Sequence, residues 1–467
     1  MLIRNAEVCG QGRTDVRIAD GRIDELGTLT AALGEPVIDA AGGALLPGLH
    51  DHHIHLPALA ARRGSVWCGP PEVTDSAALT AALALPGDGW IRGIGYHESV
   101  IGVPDAAELD RIVPNRPLRL QHRSGRMWLL NSRALDTLLA AAPPDGLERT
   151  NGRYTGRLFD ADDWLRQALG SAPPPLDGVS AELAASGITG LTEMSPRNDP
   201  AMAEYFTAEI ERGALVQHCL LAGTLALAGA SPGPWRLGPA KLHLHEAELP
   251  PLDDAIAFAA AAHRQSRAVA IHCVTEVELV FALAVLETAG VRRGDRIEHA
   301  SVASDALVAQ LKALGLAVVA QPHFVAERGD QYLAEVEPRH HPELYRLRAF
   351  RDAGVPLAAG SDAPFGSADP WAAMRAAVSR LTRGGAVIGS DEALTPEQAL
   401  ALFLADPEDL TRQRRIELGA PADVCLLDVP WAEAREALSA VHVRATIVAG
   451  RLVHDRVHQP PVERPAR

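Results

Sequence analysis

Eight short apolar runs, separated by Ala/Leu-rich helical stretches, limit what this chain can fold into more than any other feature. They lie at residues 44–55, 188–193, 214–221, 240–245, 268–272, 296–299, 316–322 and 355–362. Helical patterns such as 252–265, 276–289 and 304–314 fill the gaps, which is the rhythm of βα units on a parallel sheet. Eight units are what a (β/α)8 barrel needs. The expected fold class is therefore α/β, a TIM-like barrel.

The two chain ends have a different texture. Residues 1–48 read as short strands with turns, the clearest being Asp20-Gly21 between two alternating apolar runs, a hairpin signal. Residues 422–428, 443–448 and 451–453 are again strand, turn, strand. Neither piece could bury a core alone. They are expected to combine into one small composite β-sandwich domain, 1–48 plus 415–457, with the barrel, 49–414, inserted between them. The segment from about 60 to 180 breaks the barrel rhythm. It holds strand-like runs at 90–96 and 117–122 and a turn at Asn151-Gly152, and reads as an insertion after the first strand, a candidate cover for the barrel mouth. Residues 458–467 form a Pro-rich tail, expected to be disordered.

Composition narrows the class of function. The balance of 44 basic against 59 acidic residues gives a net charge of −15 in 467 residues, which disfavours nucleic acid and anionic membranes as partners. The five cysteines, Cys9, Cys68, Cys219, Cys273 and Cys425, are scattered, odd in number and without a C-x-x-C pair. That suits a reducing compartment rather than a disulfide framework. With no basic-then-apolar leader and no apolar run of spanning length, the expectation is a cytoplasmic protein acting on a small-molecule substrate. Self-association into a homo-oligomer stays open.

The stretch Pro47-Gly48-Leu49-His50-Asp51-His52-His53-Ile54-His55 closes the first apolar run. Strand alternation would point Asp51, His53 and His55 to one face, and two imidazoles on one face are half of a metal site. Histidine pairs also occur on solvated loops and satisfied in cores, so partners must be sought downstream. Four polar residues supply them. Lys241, His272, His299 and Asp362 each sit in or at the end of an expected strand, where barrel active sites are built. Imidazole and carboxylate ligands suit Zn²⁺, and also Mn²⁺, Fe²⁺ or Co²⁺.

These motifs, with Arg296-Ile297-Glu298-His299-Ala300, Gln321-Pro322-His323, Gly360-Ser361-Asp362-Ala363-Pro364 and Gly419-Ala420-Pro421-Ala422-Asp423, resemble those of the amidohydrolase superfamily. Within it, they resemble the YtcJ-like branch called amidohydrolase family 3, over nearly the whole chain. The resemblance implies one or two divalent metals per chain, zinc first. His53, His55 and Asp362 would hold the more buried ion and His272 and His299 the more exposed one. Lys241, carrying a CO₂-derived carboxylate, would bridge them. Asp362 would also be the catalytic general base. The implied activity is hydrolysis of a C–N bond in an amide, formamide, carbamate or related group.

The chain departs from the family pattern in two places. His245-Glu246 stands where an acidic residue and glycine are common, and His243 or His245 could replace Lys241 as ligand. Arg126 stands where a histidine is common, so a guanidinium there is a candidate for binding a substrate carboxylate or carbonyl. Tyr96 and His323 are the other substrate-side candidates. Two alternatives remain: a mononuclear deaminase of the same fold, using Glu276, and a non-catalytic scaffold barrel.

Overall fold

The computed structural model describes residues 1–456 apart from Cys9, Gln11, Pro71, Ser171, Ala172 and the side chain of Asp163. The tail expected to be disordered, 458–467, lies outside the described residues. The chain folds into two compact units, one of Met1–Leu56 with the residues from Pro175 onward, the other of Pro57–Pro174.

The first unit contains a parallel eight-stranded sheet whose strands are β1 Leu49–Ile54, β2 Ile188–Glu193, β3 His218–Gly223, β4 Arg236–His243, β5 Val269–Cys273, β6 Arg296–His299, β7 Ala317–Ala320 and β8 Leu357–Ala359. Each pairs with the next in chain order. Strands such as Ala317-Val318-Val319-Ala320 are buried at every position, as expected where helices cover a parallel sheet. No ladder joins β8 to β1. The barrel closes there through two backbone bonds beyond the strand ends: Asp362 N donates to His53 O at 2.6 Å, and His55 N to Ala363 O at 2.8 Å. Gly360 permits this approach, because a Cβ on it would lie 2.3 Å from His53 N. The seam is therefore built from the same residues that the motifs mark for chemistry.

Several expected strand limits are corrected. The run 44–55 is two strands, not one. Ala44–Pro47 belongs to the end sheet and β1 starts at Leu49. The chain changes sheets at Gly48, whose N–H donates to Asp423 O while that of Leu49 donates to Gly187 O. A Cβ at Gly48 would meet the Thr189 side chain at 2.2 Å. The run 214–221 loses its start because the amides of Ala214 and Leu215 both donate to Glu209 O, finishing the preceding helix. The run 240–245 is displaced: β4 begins earlier, at Arg236, and stops at His243, so His245 is outside it. The run 355–362 ladders only over Leu357–Ala359, and Asp362 follows in a left-handed conformation, φ 50°.

The two chain ends join in one eight-stranded mixed sheet. Val424–Leu427 runs antiparallel to Ala44–Pro47, with Leu426 opposite Leu45. The N-terminal strand Leu2–Val8 continues the sheet, with Arg13–Ala19 and Arg22–Gly27 beyond it. Asp20 (φ 48°) and Gly21 (φ 72°) supply the two positive-φ positions that a type I′ hairpin needs. The core of this sheet mixes both ends, with Ile3, Val16 and Ile18 packed in one cluster with Val424, Leu426 and Ile447.

The second unit is a six-stranded sheet with helices. Its strand order is Leu147–Thr150, Arg153–Phe159, Met127–Leu130, Leu118–His122, Ile91–Tyr96 and Val66–Trp67. Asn151 and Gly152, φ 52° and 77°, form the turn between the first two. No helix among the described residues of either unit is long and apolar enough to cross a membrane. Cys68, Cys219, Cys273 and Cys425 are buried and free.

Candidate metal centre and active site

Three side chains converge at the barrel seam. Asp362 Oδ1 lies 3.0 Å from His55 Nε2 and 3.4 Å from His53 Nε2. One ligand atom from each of the three falls within 4.8 Å of the others. Simple alternation does not place them. The β1–β2 register shifts, so that Leu191 faces Asp51 while Glu193 faces Ile54, a bulge that re-aims β1. Asp51 is therefore not in the cluster, which corrects the expectation that it points with His53 and His55. Its carboxylate instead accepts from the amides of His53 (3.1 Å) and Ser361 (2.9 Å), tying β1 to the loop that carries Asp362. Burial raises the Asp51 carboxyl to about 6, against those hydrogen bonds.

Neighbouring groups decide which imidazole nitrogen keeps a lone pair. Glu298 Oε2 stands 2.5 Å from His53 Nδ1, and Glu298 Oε1 accepts from Arg296 Nε at 2.6 Å. A carboxylate paired with a guanidinium only accepts, so Nδ1 carries the proton and Nε2 presents its lone pair toward Asp362. His299 is set in the same way, with Nδ1 2.7 Å from Gln321 Oε1 and Nε2 buried without a hydrogen-bond partner. His55 Nδ1 lies 3.2 Å from Ser195 Oγ. Burial, followed by the charge of Lys241, holds His53 well below the ordinary imidazole range; burial does the same to His272 and His299. These rings are neutral, the form that ligates a cation. Asp362 is ionised: burial pushes its carboxyl up, but His53, His55 and His299 outweigh that and hold it low.

The remaining motif residues extend this cluster. Ring centroids lie 4.9 Å apart for His53 and His299, and 4.5 Å for His299 and His272. Lys241, on β4, is only 4% exposed, and its Nζ has no hydrogen-bond partner. Burial lowers its pKa against the opposing pull of Glu298 and Asp362. His243 ends β4 with its ring 4.3 Å from that of His272, and burial, then Lys241, pushes it down to about 4. His245 follows it, ring centroids 5.7 Å apart. Backbone strain gathers here as well, for His299, Ala300 and Asp362 all have positive φ.

The substrate-side candidates occupy different settings. His323 opens a helix, His323–Glu335, with Nε2 donating to Ser361 O at 2.9 Å and Nδ1 buried without a partner. Tyr96 is fully buried in the second unit, its hydroxyl donating to Gly102 O at 2.7 Å. Arg126, in the same unit, makes a two-pronged exposed pair with Asp160, both bonds 2.8 Å. Asn131 of the same motif is a buried cap, accepting from the amides of Leu118 and Ala134. Glu276, the residue of the deaminase alternative, begins the helix Glu276–Ala289. Sequence reasoning gave no role to Glu298, Gln321 or Ser195. The first two lie inside the recognised motifs, and that adjacency was the available signal.

A divalent cation fits this donor set. Two imidazole nitrogens and a carboxylate face one another within ligating reach, while His299 Nε2 and Lys241 Nζ are buried polar atoms with nothing else to bond.

The fold and site together define a (β/α)8-barrel protein with an imidazole–carboxylate centre at the C-terminal ends of its strands. Residues 36–454 match the model of the amidohydrolase family, and the chain belongs to that family. N-substituted formamide deformylase of Arthrobacter pascens is 27% identical, the alignment covering 98% of this chain and 98% of the relative. YtcJ of Bacillus subtilis strain 168, named as an amidohydrolase, is 24% identical over 94% of this chain and 96% of its own. Among solved structures, an uncharacterized metal-dependent hydrolase from Pyrococcus horikoshii OT3 superposes with a TM-score of 0.74 at 20% identity, covering 91% of this chain and 97% of the other.

Proposed function

We propose that the protein is a metal-dependent hydrolase that cleaves a C–N bond of a small amide, formamide or carbamate. The convergence of His53, His55 and Asp362 at the barrel seam carries this reading. Similarity along the full chain to a formamide deformylase supports the C–N bond class. His53, His55 and Asp362 would hold one cation, and His272 and His299 a second, with Lys241 between them. Such ions supply Lewis acidity, lowering the pKa of water and polarising a carbonyl.

The chain's own residues do the rest. Asp362 would accept a proton from the attacking water and deliver it to the leaving nitrogen. Glu298 and Gln321 hold His53 and His299 in the tautomers that keep their lone pairs available. Lys241 fits the bridging role chemically. Burial favours its neutral amine, the form that adds to CO₂ with loss of a proton, and the carbamate so formed would satisfy a nitrogen that otherwise has no partner.

The test is metal content by elemental analysis of chain produced with bicarbonate and without chelator, followed by a screen of N-substituted formamides, amides and carbamates. About two ions per chain with turnover of one of these classes supports the reading. One ion with ammonia release from an amine substrate would replace it with the deaminase, and no metal with no turnover would leave the scaffold.

A further inference from the structure

The loop that leaves β8 presents an aromatic ring to solvent beside an imidazole of the metal centre. Phe365, three residues past Asp362, is 59% exposed, the most of the eight phenylalanines. Its ring stands edge-on to that of His55, with centroids 5.7 Å apart and planes at 86°. A single exposed apolar side chain is ordinary on a protein surface. One that packs on a group of the reactive centre lies where a substrate must pass.

The loop around this ring is held on both sides. Phe365 N donates to Asp362 O at 2.8 Å, and Phe365 O accepts from Arg328 Nη2. His323 Nε2 donates to Ser361 O at 2.9 Å, and Ser367 N to Glu327 Oε1 at 3.1 Å. Gly366 lets the loop lie against the helix His323–Glu335, because a Cβ there would come 2.3 Å from His323 Nε2 and 2.6 Å from Phe324 Cε1. His323, Glu327 and Arg328 all belong to that helix, so one element fixes the loop and the exposed ring on it. A ring carried on a pinned backbone loses little freedom when a ligand meets it, which favours it as a binding wall.

We propose that Phe365 is a specificity-determining residue and that the substrate is an amide or formamide whose nitrogen carries an apolar group, which packs on the Phe365 ring. The inference rests on the C–N hydrolysis reading above. In that reading Asp362 hands a proton to the leaving nitrogen, so the nitrogen lies on the Asp362 side of the centre. The group it carries then meets the loop continuing from Asp362, whose first exposed side chain is Phe365. Covering an apolar substituent with the ring is favourable in proportion to the area taken from water, whereas a hydroxyl or charge there would lose water and gain no partner.

The experiment compares two formamides on the metal-loaded full chain, N-(2-phenylethyl)formamide and N-methylformamide, by kcat/KM per bound metal. The N-hydroxyformamides carrying the same two groups, which chelate a metal, are compared by Kd. The phenylethyl compound is expected to be preferred about tenfold or more in both measurements, Phe365→Ser to cut that preference about tenfold, and Phe365→Leu to keep most of it. No preference in the wild type, or a preference that survives Phe365→Ser, overturns the wall. A Phe365-dependent preference in binding with no turnover of either formamide would support the wall and remove the hydrolysis reading, while turnover with no Phe365-dependent preference would do the reverse. A changed molar mass of Phe365→Ser in light scattering, with the preference intact, would assign the ring to a contact between copies of the chain and overturn the proposal.

Discussion

His53 and Glu298 meet in the barrel interior at 2.5 Å, Nδ1 to Oε2, although they are 245 positions apart in the chain. The other Glu298 oxygen pairs with Arg296, and both members of that pair are buried. Two substitutions separate its roles. Glu298→Gln keeps the shape but weakens the hold on His53, and is expected to lower metal affinity by roughly 10–100-fold. Glu298→Ala leaves Arg296 charged and alone, and is expected to cost roughly 3–5 kcal/mol of stability. Chelator competition and denaturant melts read the two effects, and an unchanged affinity in the Gln variant would remove Glu298 from the account.

Gly360 tests the seam. A Cβ there would come 2.3 Å from His53 N and 2.5 Å from His53 Cβ, so the backbone must give way. Gly360→Ala is expected to cost about 1–3 kcal/mol and to reduce bound metal, because the displaced atoms carry a ligand. A variant with wild-type metal content and melting temperature would show that the barrel closes without this contact.

Asp362→Asn separates proton transfer from metal holding. The amide keeps an oxygen for ligation but is not a base. Turnover should fall by about 10²-fold or more, while elemental analysis still finds most of the metal. Turnover that stayed within about tenfold of wild type would exclude Asp362 as the base.

Lys241→Met is expected to move stability and metal content in opposite directions. A buried amine with no partner is costly, and an apolar chain of similar length relieves that cost. The metal-free variant should therefore melt above the metal-free wild type. If Lys241 bridges two ions, the variant should also bind fewer of them. Unchanged metal content would end the bridging assignment whatever the melting shows.

Glu35 provides a pH test away from the site. Arg17 donates to both of its oxygens, at 3.0 and 3.2 Å, and the Ala32 amide adds a third bond. These interactions, Arg17 foremost, lower its carboxyl from 4.5 to about 2. The depressed folded-state pKa means that the stabilisation is complete above about pH 4.5 and is lost as pH falls toward 2. The melting difference between metal-free wild type and Glu35→Gln should be constant near neutrality and shrink across that window. A difference that grew on acidification would contradict the sign.

Much of the site was legible because its chemistry is written in residue types. His53, His55 and Asp362 could be paired from motifs 309 positions apart at the outermost, and they lie together. The barrel and the end sheet were legible for a related reason: apolar runs report burial, and burial on two faces separates barrel strands from the half-buried strands at the ends.

Tertiary structure decided what pattern could not carry. Alternation put Asp51 beside His53, but the bulge against β2 turned it to backbone amides instead. The run 44–55 looked continuous, and only the close approach of Thr189 to Gly48 shows why it divides between two sheets. The supports of the imidazoles, Glu298 and Gln321, are likewise properties of neighbours brought from far along the chain. A sequence states which groups are available and which faces are apolar. Which nitrogen keeps its lone pair, and which buried charge lacks a partner, depends on packing between segments, and that exists only once the chain has folded.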